Sequence, residues 1–331
     1  MWFKNLIVYR LPADWAVSAA ELEDLLSKRT LQPCGALEMV SRGWVSPASG
    51  GRLLHTVNQQ HLIALGIDQK LLPGSIIRQV ALERAEELAR EQGYPVGRRQ
   101  MRDLKMRVTE ELRARALTRR RIVRAWIDPL NGWFVVDAAG APKAEELTEI
   151  LRVTLGGSFA VQFLQTAHSA QQSMSAWLTH GDAPSRFTLE QDLELQSSDV
   201  NKATIRYTRH PLDVREIQSH LKAGKHPTRL GLSWSDRIAF VLTDKTQVKR
   251  LEFLEMTKDT PDGTGQNADI DAAEQFDIDF AVMAGELAKL LDDLGEALGG
   301  EIRKEAEDST VTTRPSPTPI KPATQAHAAT A

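Results

Sequence analysis

The sequence predicts an α+β protein of mixed, mostly antiparallel sheets with flanking helices. Three observations carry this. Short runs rich in β-branched and aromatic residues recur along the chain. Turn signals such as Asp128-Pro129-Leu130-Asn131-Gly132 join neighbouring runs into hairpins. Helix-period segments lie between them, but without the regular strand–helix alternation of a doubly wound sheet.

Phe3 to Leu11 is an apolar run ended by Pro12 and reads as a buried strand rather than a signal peptide, since it lacks a basic n-region and a small-residue cleavage site. Ser18 followed by Glu21 is a capping-box pattern, which starts a helix running to about Lys28. Pro33, Gly35 and Gly43 make Thr30 to Gly43 a loop-rich stretch. Trp44 to Pro47 and Leu53 to Ile67 read as strands expected to pair with the first.

Ser75 can cap a second helix, with Ile77, Val80, Ala81, Leu88 and Ala89 on one face, and Gly93 to Gly97 ends it. A third helix follows, in which Met101, Leu104, Val108 and Leu112 form one apolar stripe. From Arg119 the period changes to two. Arg121, Val123, Ala125 and Ile127 alternate with Arg120, Ile122, Arg124 and Trp126, and Trp133 to Asp137 returns as the second arm of a hairpin.

Lys143 to Leu155 is a helix stopped by Gly156-Gly157. Strands are read at Phe159–Leu164, Phe187–Leu195, Ala203–Thr208, Arg229–Phe240 (with a turn near Ser235-Asp236) and Val248–Phe253. Helices are read at Ser173–Leu178 and Leu212–Lys222. Thr257 to Asp269 is a polar loop, and Phe276 to Leu298 a long amphipathic helix. Composition divides the chain into an N-terminal α/β region (1–75), a basic helical region (76–125), a central and C-terminal α+β region (126–300) and a Pro-, Thr- and Ala-rich tail (301–331) expected to be disordered.

Charge is the feature that points to function. The chain of 331 residues has a net charge of −3, yet residues 98–124 hold eleven Lys and Arg against three acids. Residues 251–300 are the opposite pole, with thirteen acids against two lysines. Ten of the eleven cations in 98–124 are arginine, whose planar donor fork suits phosphate. The basic run also crosses from a helix into a strand. A solvated helix face, or pairing with the acidic C-terminal region, is the plain alternative. If the partner is DNA, contacts should be to phosphate. No Asn, Gln and Arg set is placed to read base edges, and aromatics, at 6% of residues, are too few to stack single strands.

Other chemistries find little support. A phosphate-cradling P-loop is absent: Gly156-Gly157-Ser158 follows a helix, and Ala223-Gly224-Lys225 lacks the rest of the motif. No two of His55, His61, His180, His210, His220 and His226 stand four apart beside a glutamate, and there is no Gly-x-Ser-x-Gly elbow. Asp277 and Asp279 would face one way on a strand, as a divalent metal needs. At the start of a helix they would instead favour the positive dipole end, which is the preferred reading. Cys34, the single cysteine, reads as a small buried hydrophobe. One cysteine and no run of apolar residues long enough for a membrane span point to a reducing cytoplasm and no membrane partner. No cofactor is expected.

The opening Met1-Trp-Phe-Lys-Asn-Leu-Ile-Val-Tyr-Arg-Leu11 resembles that of the bacterial recombination-associated RdgC family. The similarity continues through Pro33-Cys34-Gly35, Gly43-Trp44-Val45, Leu72-Pro73, Trp126-Ile127-Asp128, Gly132 to Asp137 and Lys143-Ala144-Glu145. It goes on through Leu151 to Ser158, Trp177-Leu178, Ala223-Gly224-Lys225, Leu230 to Arg237, Lys249-Arg250-Leu251 and Met283 to Leu287.

The resemblance implies a subunit of a ring-shaped homodimer that takes duplex DNA into its hole with little sequence preference. It further implies association with the nucleoid, restraint of a RecA-type recombinase, and no enzymatic activity. The DNA contacts it implies are Arg98, Arg99, Arg102, Lys105, Arg113, Arg115, Arg119, Arg120, Arg121, Arg124 and Lys225. Arg209 and His210 would lie at a ring-closing contact, and Leu117 at a hydrophobic gate where the family uses an aromatic. Two alternatives stand beside this reading: a protein that docks directly on the recombinase, and a metal-dependent nuclease using Asp277 and Asp279.

Overall fold

The computed structural model describes residues 2–48, 50–157, 159–184, 186–254 and 271–302. The loop read over 257–269 and nearly all of the tail read over 301–331 lie outside them. Residues 1–301 form one compact unit. Among the described residues, twelve strands join in one sheet whose pairings are all antiparallel. The α+β class and the antiparallel pairing therefore hold, as a single large sheet.

The strands are β1 (Leu6–Arg10), β2 (Val40–Val45), β3 (Leu54–Val57), β4 (Gln60–Lys70), β5 (Thr118–Asp128), β6 (Trp133–Asp137), β7 (Gln162–Phe163), β8 (Phe187–Ser197), β9 (Thr204–Tyr207), β10 (Lys225–Trp234), β11 (Ile238–Thr243) and β12 (Val248–Phe253). They run β2-β4-β5-β6-β1-β12-β11-β10-β8-β9, with β3 on β4 and β7 on β1. The helices are α1 (Ala19–Ser27), α2 (Gly74–Gln92), α3 (Arg98–Arg115), α4 (Ala141–Thr154), α5 (Ala170–His180), α6 (Val214–Lys222) and α7 (Ala272–Ala297).

Alternation along β1 explains the layering. Leu6 and Val8 enter one core with α5, α6 and α7, together with Trp126, Trp133, Leu232 and Phe240. Ile7 and Tyr9 enter a second core on the opposite face with α1 and α4, together with Trp44, Ile63, Ala125 and Val136. The N-terminal half of the sheet is thus covered by α1 and α4 on one face. The C-terminal half is covered by α5, α6 and α7 on the other.

Several boundaries differ from the sequence reading. Leu53 to Ile67 does not pair with the first strand. Asn58 and Gln59 adopt positive φ (51° and 63°), turning the stretch into the β3–β4 hairpin. β4 lies between β2 and β5, whereas β1 takes β6 and β12 as its main neighbours. The loop-rich reading of Thr30 to Gly43 overran the start of β2. Gly43 there is no breaker: a Cβ on it would meet the Leu31 backbone at 2.3 Å, so glycine lets the 29–32 segment lie close beside the strand, bridged in parallel to Trp44. Phe159 is buried in the second core rather than part of a strand, and only Gln162 and Phe163 pair. Cys34 is half-exposed, its thiol donating to the Glu38 carbonyl at 3.3 Å, because its loop lies over the sheet rather than in a core.

Helices α2 and α3 form an antiparallel hairpin inserted between β4 and β5. Ala81, Ala85 and Val108 are buried between them, and Arg84 reaches across to Glu111 at 2.6 Å. Gly93, at φ 77°, caps α2 in the left-handed conformation. At the root of this arm the Leu71 N–H donates to the Leu117 carbonyl at 2.8 Å.

Candidate nucleic-acid interface

The helical period sorts the charges of α3. With Met101, Leu104, Val108 and Leu112 turned to α2, residues at spacings of four, three, four and four fall in one row. That row is Arg98, Arg102, Lys105, Thr109 and Arg113. Asp103, Glu110 and Glu111 lie off this row, on the part of the helix surface that also carries Arg99 and Arg107. There Glu111 takes Arg84 and has Arg115 nearby, its carboxyl held below the usual range chiefly by the Arg84 hydrogen bond. The row of Arg98, Arg102, Lys105 and Arg113 thus contains no acid. The side chains of Arg98, Arg99, Arg102, Lys105, Arg107 and Arg119 meet no hydrogen-bond or ion-pair partner among the described residues. No side chain of the 98–124 run pairs with an acid of α7 among the described residues, so this run is not neutralised by that acidic helix.

The strand part of the basic run is different. Alternation on β5 sends Arg119 and Arg121 to the α4 face, where Arg121 pairs with Glu146. Arg120 and Arg124 point to the other face. Arg120 holds Asp68 through two 2.8 Å bonds, and Arg124 stands opposite Asp137 in register. Arg113, at the foot of the α3 row, donates to the Leu37 carbonyl at 3.2 Å. Lys70 holds the same loop through the Gly35 and Ala36 carbonyls at 2.7 and 3.0 Å. Lys70, Asp68 and Arg120 share one sheet face, so the α3 row leads down onto that face.

The remaining candidates lie elsewhere. Leu117 sits at the arm root and is 78% exposed, beside Leu71 at 50%. Arg209 and His210 follow β9 and are exposed. The Arg209 N–H donates to Asp192 Oδ1 at 3.2 Å, and Arg209 has φ 52°. Lys225 opens β10. From β5 to β9 there are seven strand steps in the sheet order, about 34 Å at the usual spacing of ~4.8 Å. The structure therefore places Arg209 and His210 far from the basic arm.

Asp277 and Asp279 fall on α7, not on a strand. Two positions apart on a helix, they point in different directions. Asp277 Oδ1 lies 3.3 Å from His55 Nε2; Asp279 accepts from Gln275 at 2.8 Å. Burial lowers the His55 pKa, partly offset by Asp277. Among the described residues, no group of three or more His, Cys, Asp or Glu side chains is placed to hold a metal ion.

Sequence reasoning missed a second basic cluster. Arg206, Arg229, Lys249 and Arg250 come from three strands and gather on one face of the sheet. Only the Lys249-Arg250 dipeptide had been marked, as part of the resemblance.

Sheet, arm and unpaired arginines define an α+β protein with a concentrated basic surface. No helix of the described residues is long and apolar enough to cross a membrane. The family model described as "Putative exonuclease, RdgC" matches residues 1–301. The chain is 48% identical to recombination-associated protein RdgC of Dechloromonas aromatica over 305 residues, covering 91% of this chain and 99% of the relative. It is 45% identical to the protein of that name from Herminiimonas arsenicoxydans, covering 92% and 100%, and 47% identical to that of Cupriavidus necator, covering 91% and 99%. The chain belongs to the RdgC family, whose curated members are named for their association with recombination.

Proposed function

We propose that this chain is a non-sequence-specific duplex DNA-binding protein that encircles DNA as a dimeric ring and thereby restrains a RecA-type recombinase in the nucleoid. The observation that carries the reading is the acid-free row of α3, in which Arg98, Arg102 and Lys105 meet no hydrogen-bond or ion-pair partner among the described residues. Unpaired arginines and lysines release counterions from DNA when they meet its phosphates, and that term is indifferent to sequence. A closed ring of two subunits needs contacts at two separated places on each. Leu117 with Leu71 at the arm root, and Arg209 with His210 beyond β9, supply two such places at opposite ends of the sheet. No enzymatic step is assigned to the protein.

The test is a titration of the full-length protein against linear and covalently closed circular duplex at several salt concentrations. Encirclement predicts slow escape from the closed circle that persists at salt concentrations where the linear form is lost. Equal dissociation from both would remove the ring. The family description names an exonuclease, which makes a nuclease the second reading, and incubation of both linear duplex and plasmid with magnesium or manganese decides it. Cleavage that disappears in an Asp277→Ala variant would replace the non-enzymatic reading.

A further inference from the structure

β12 carries Val248-Lys249-Arg250-Leu251. Val248 and Leu251 both enter the core beneath α7. Strict alternation would send them to opposite faces. The register slips between Ala239 and Val241 of the paired strand β11, and Arg250 takes φ 50°. This bulge absorbs one residue and turns Lys249 and Arg250 to the same side. That side is the face of the C-terminal half-sheet that carries no helix among the described residues. Arg229 of β10 and Arg206 of β9 join them there, and with Asp192 and Glu194 of β8 they surround a concavity of about 80 Å³.

The carboxylates in this concavity are committed. Arg206 donates to Glu194 Oε2 at 3.0 Å from Nε, and Thr228 donates to Glu194 Oε1 at 2.9 Å. Arg250 takes Asp192 at 3.3 Å. Arg229 is left 3.8 Å from Glu194, and the Lys249 ammonium donates to the Ala139 carbonyl at 2.9 Å. Four cations thus share two carboxylates. Glu190 and Glu252 belong to neighbouring positions but do not line the concavity. Burial, and then the nearby Arg229, lower the Lys249 pKa, as befits a cation short of counter-charge.

We propose that Arg229 and Lys249 form a phosphate-binding site for the backbone of duplex DNA, on the helix-free face of the C-terminal half-sheet and separate from the α3 row. This rests on the DNA-binding reading above and extends it to a second surface. The arginine fork and the lysine ammonium complement a phosphodiester anion, and the site reads no sequence.

The test uses the full-length protein with the substitutions Arg229→Gln and Lys249→Gln together. Arg229 is more than half exposed at its side chain, so the fold should survive, and sedimentation checks the mass. Loss of one phosphate contact makes the log K against log salt slope shallower by about 0.9. A second variant, Arg229→Lys with Lys249→Arg, keeps the charges and should keep the wild-type slope. The proposal is overturned if the double glutamine variant binds duplex with wild-type affinity and slope while an Arg98→Gln, Arg102→Gln variant is weakened; the DNA reading then stands without this site. It is also overturned if inorganic phosphate shifts the Lys249 resonances but the duplex slope is unchanged, which would make it a small-anion site. If the wild-type protein binds no duplex, the underlying reading fails first.

Discussion

Arg120 grips Asp68 across the β4–β5 pair with its Nε and Nη2 nitrogens, each at 2.8 Å, while its chain neighbour Arg119 meets no partner among the described residues. Adjacent arginines of one run thus have different work. Arg120→Ala leaves the buried Asp68 carboxylate without its donors and should cost about 1 kcal/mol, a modest figure because the arginine itself is largely exposed and screened. Arg119→Ala should leave the denaturant midpoint unchanged and weaken duplex binding. Urea titrations of the two variants beside their DNA affinities check this; equal destabilisation by both would contradict the assignment.

The same pair sets a pH dependence. The Arg120 hydrogen bond holds the Asp68 carboxyl below its usual range. A depressed acid contributes stability that is fully present above its unfolded pKa, ~3.9, and lost as pH falls through the lower folded value. Thermal unfolding of wild type and Asp68→Asn, compared between neutral pH and about pH 3, should show the difference between them shrinking on the acid side. A constant difference would show that the pair carries no linkage.

The sequence made some parts of this molecule legible and hid others for physical reasons. Local signals worked: the Asp128–Gly132 turn, the period-two arginines of β5 and the apolar stripe of α3 all appear where their spacing puts them. The cap at Ser18 also forms, its hydroxyl accepting from the Glu21 N–H. Long-range pairing did not show. Nothing in Leu6–Arg10 announces that β12, some 240 residues on, will lie beside it, because strand partners are chosen by the whole core. The basic arm was visible because its charges are contiguous in sequence. The Arg229 and Lys249 cluster was not, because a bulge and three strands assemble it.

The α3 row predicts a graded salt response. Arg98→Gln, Arg102→Gln and Lys105→Gln lie on one flank and should each remove up to one phosphate contact, for a combined slope change of up to about 2.7. Asp103→Asn and Glu110→Gln, outside this row, should leave the slope alone. Fluorescence titrations between low and physiological salt measure this. Equal effects from inside and outside the row would mean that net charge, rather than a contacting row, governs binding.

Gly43 gives a test of the fold itself. A methyl there would lie 2.3 Å from the Leu31 N and 2.4 Å from its Cα. These are backbone atoms and cannot swing aside as a side chain could. Gly43→Ala should therefore cost about 2 kcal/mol or more by overpacking. Gly50→Ala, where a methyl meets nothing within 4 Å, should be close to neutral. A pair of denaturation curves that coincide would contradict this close approach of the 29–32 segment to β2.

Leu117 is the place where ring closure and fold stability can be separated. At 78% exposure it contributes little to the folded subunit, so Leu117→Glu should leave the unfolding midpoint within about 0.5 kcal/mol of wild type. If two copies of this leucine bury each other at a subunit contact, a charge there removes about 1.5–3 kcal/mol of apolar burial per side chain. That corresponds to roughly tenfold or more in an equilibrium or an escape rate. Should the contact beyond β9 hold the dimer alone, the mass stays dimeric and the loss appears as faster dissociation from closed circular DNA. Should both contacts be required, equilibrium sedimentation shows a weakened dimer. A variant with wild-type mass and wild-type dissociation would remove Leu117 from the interface.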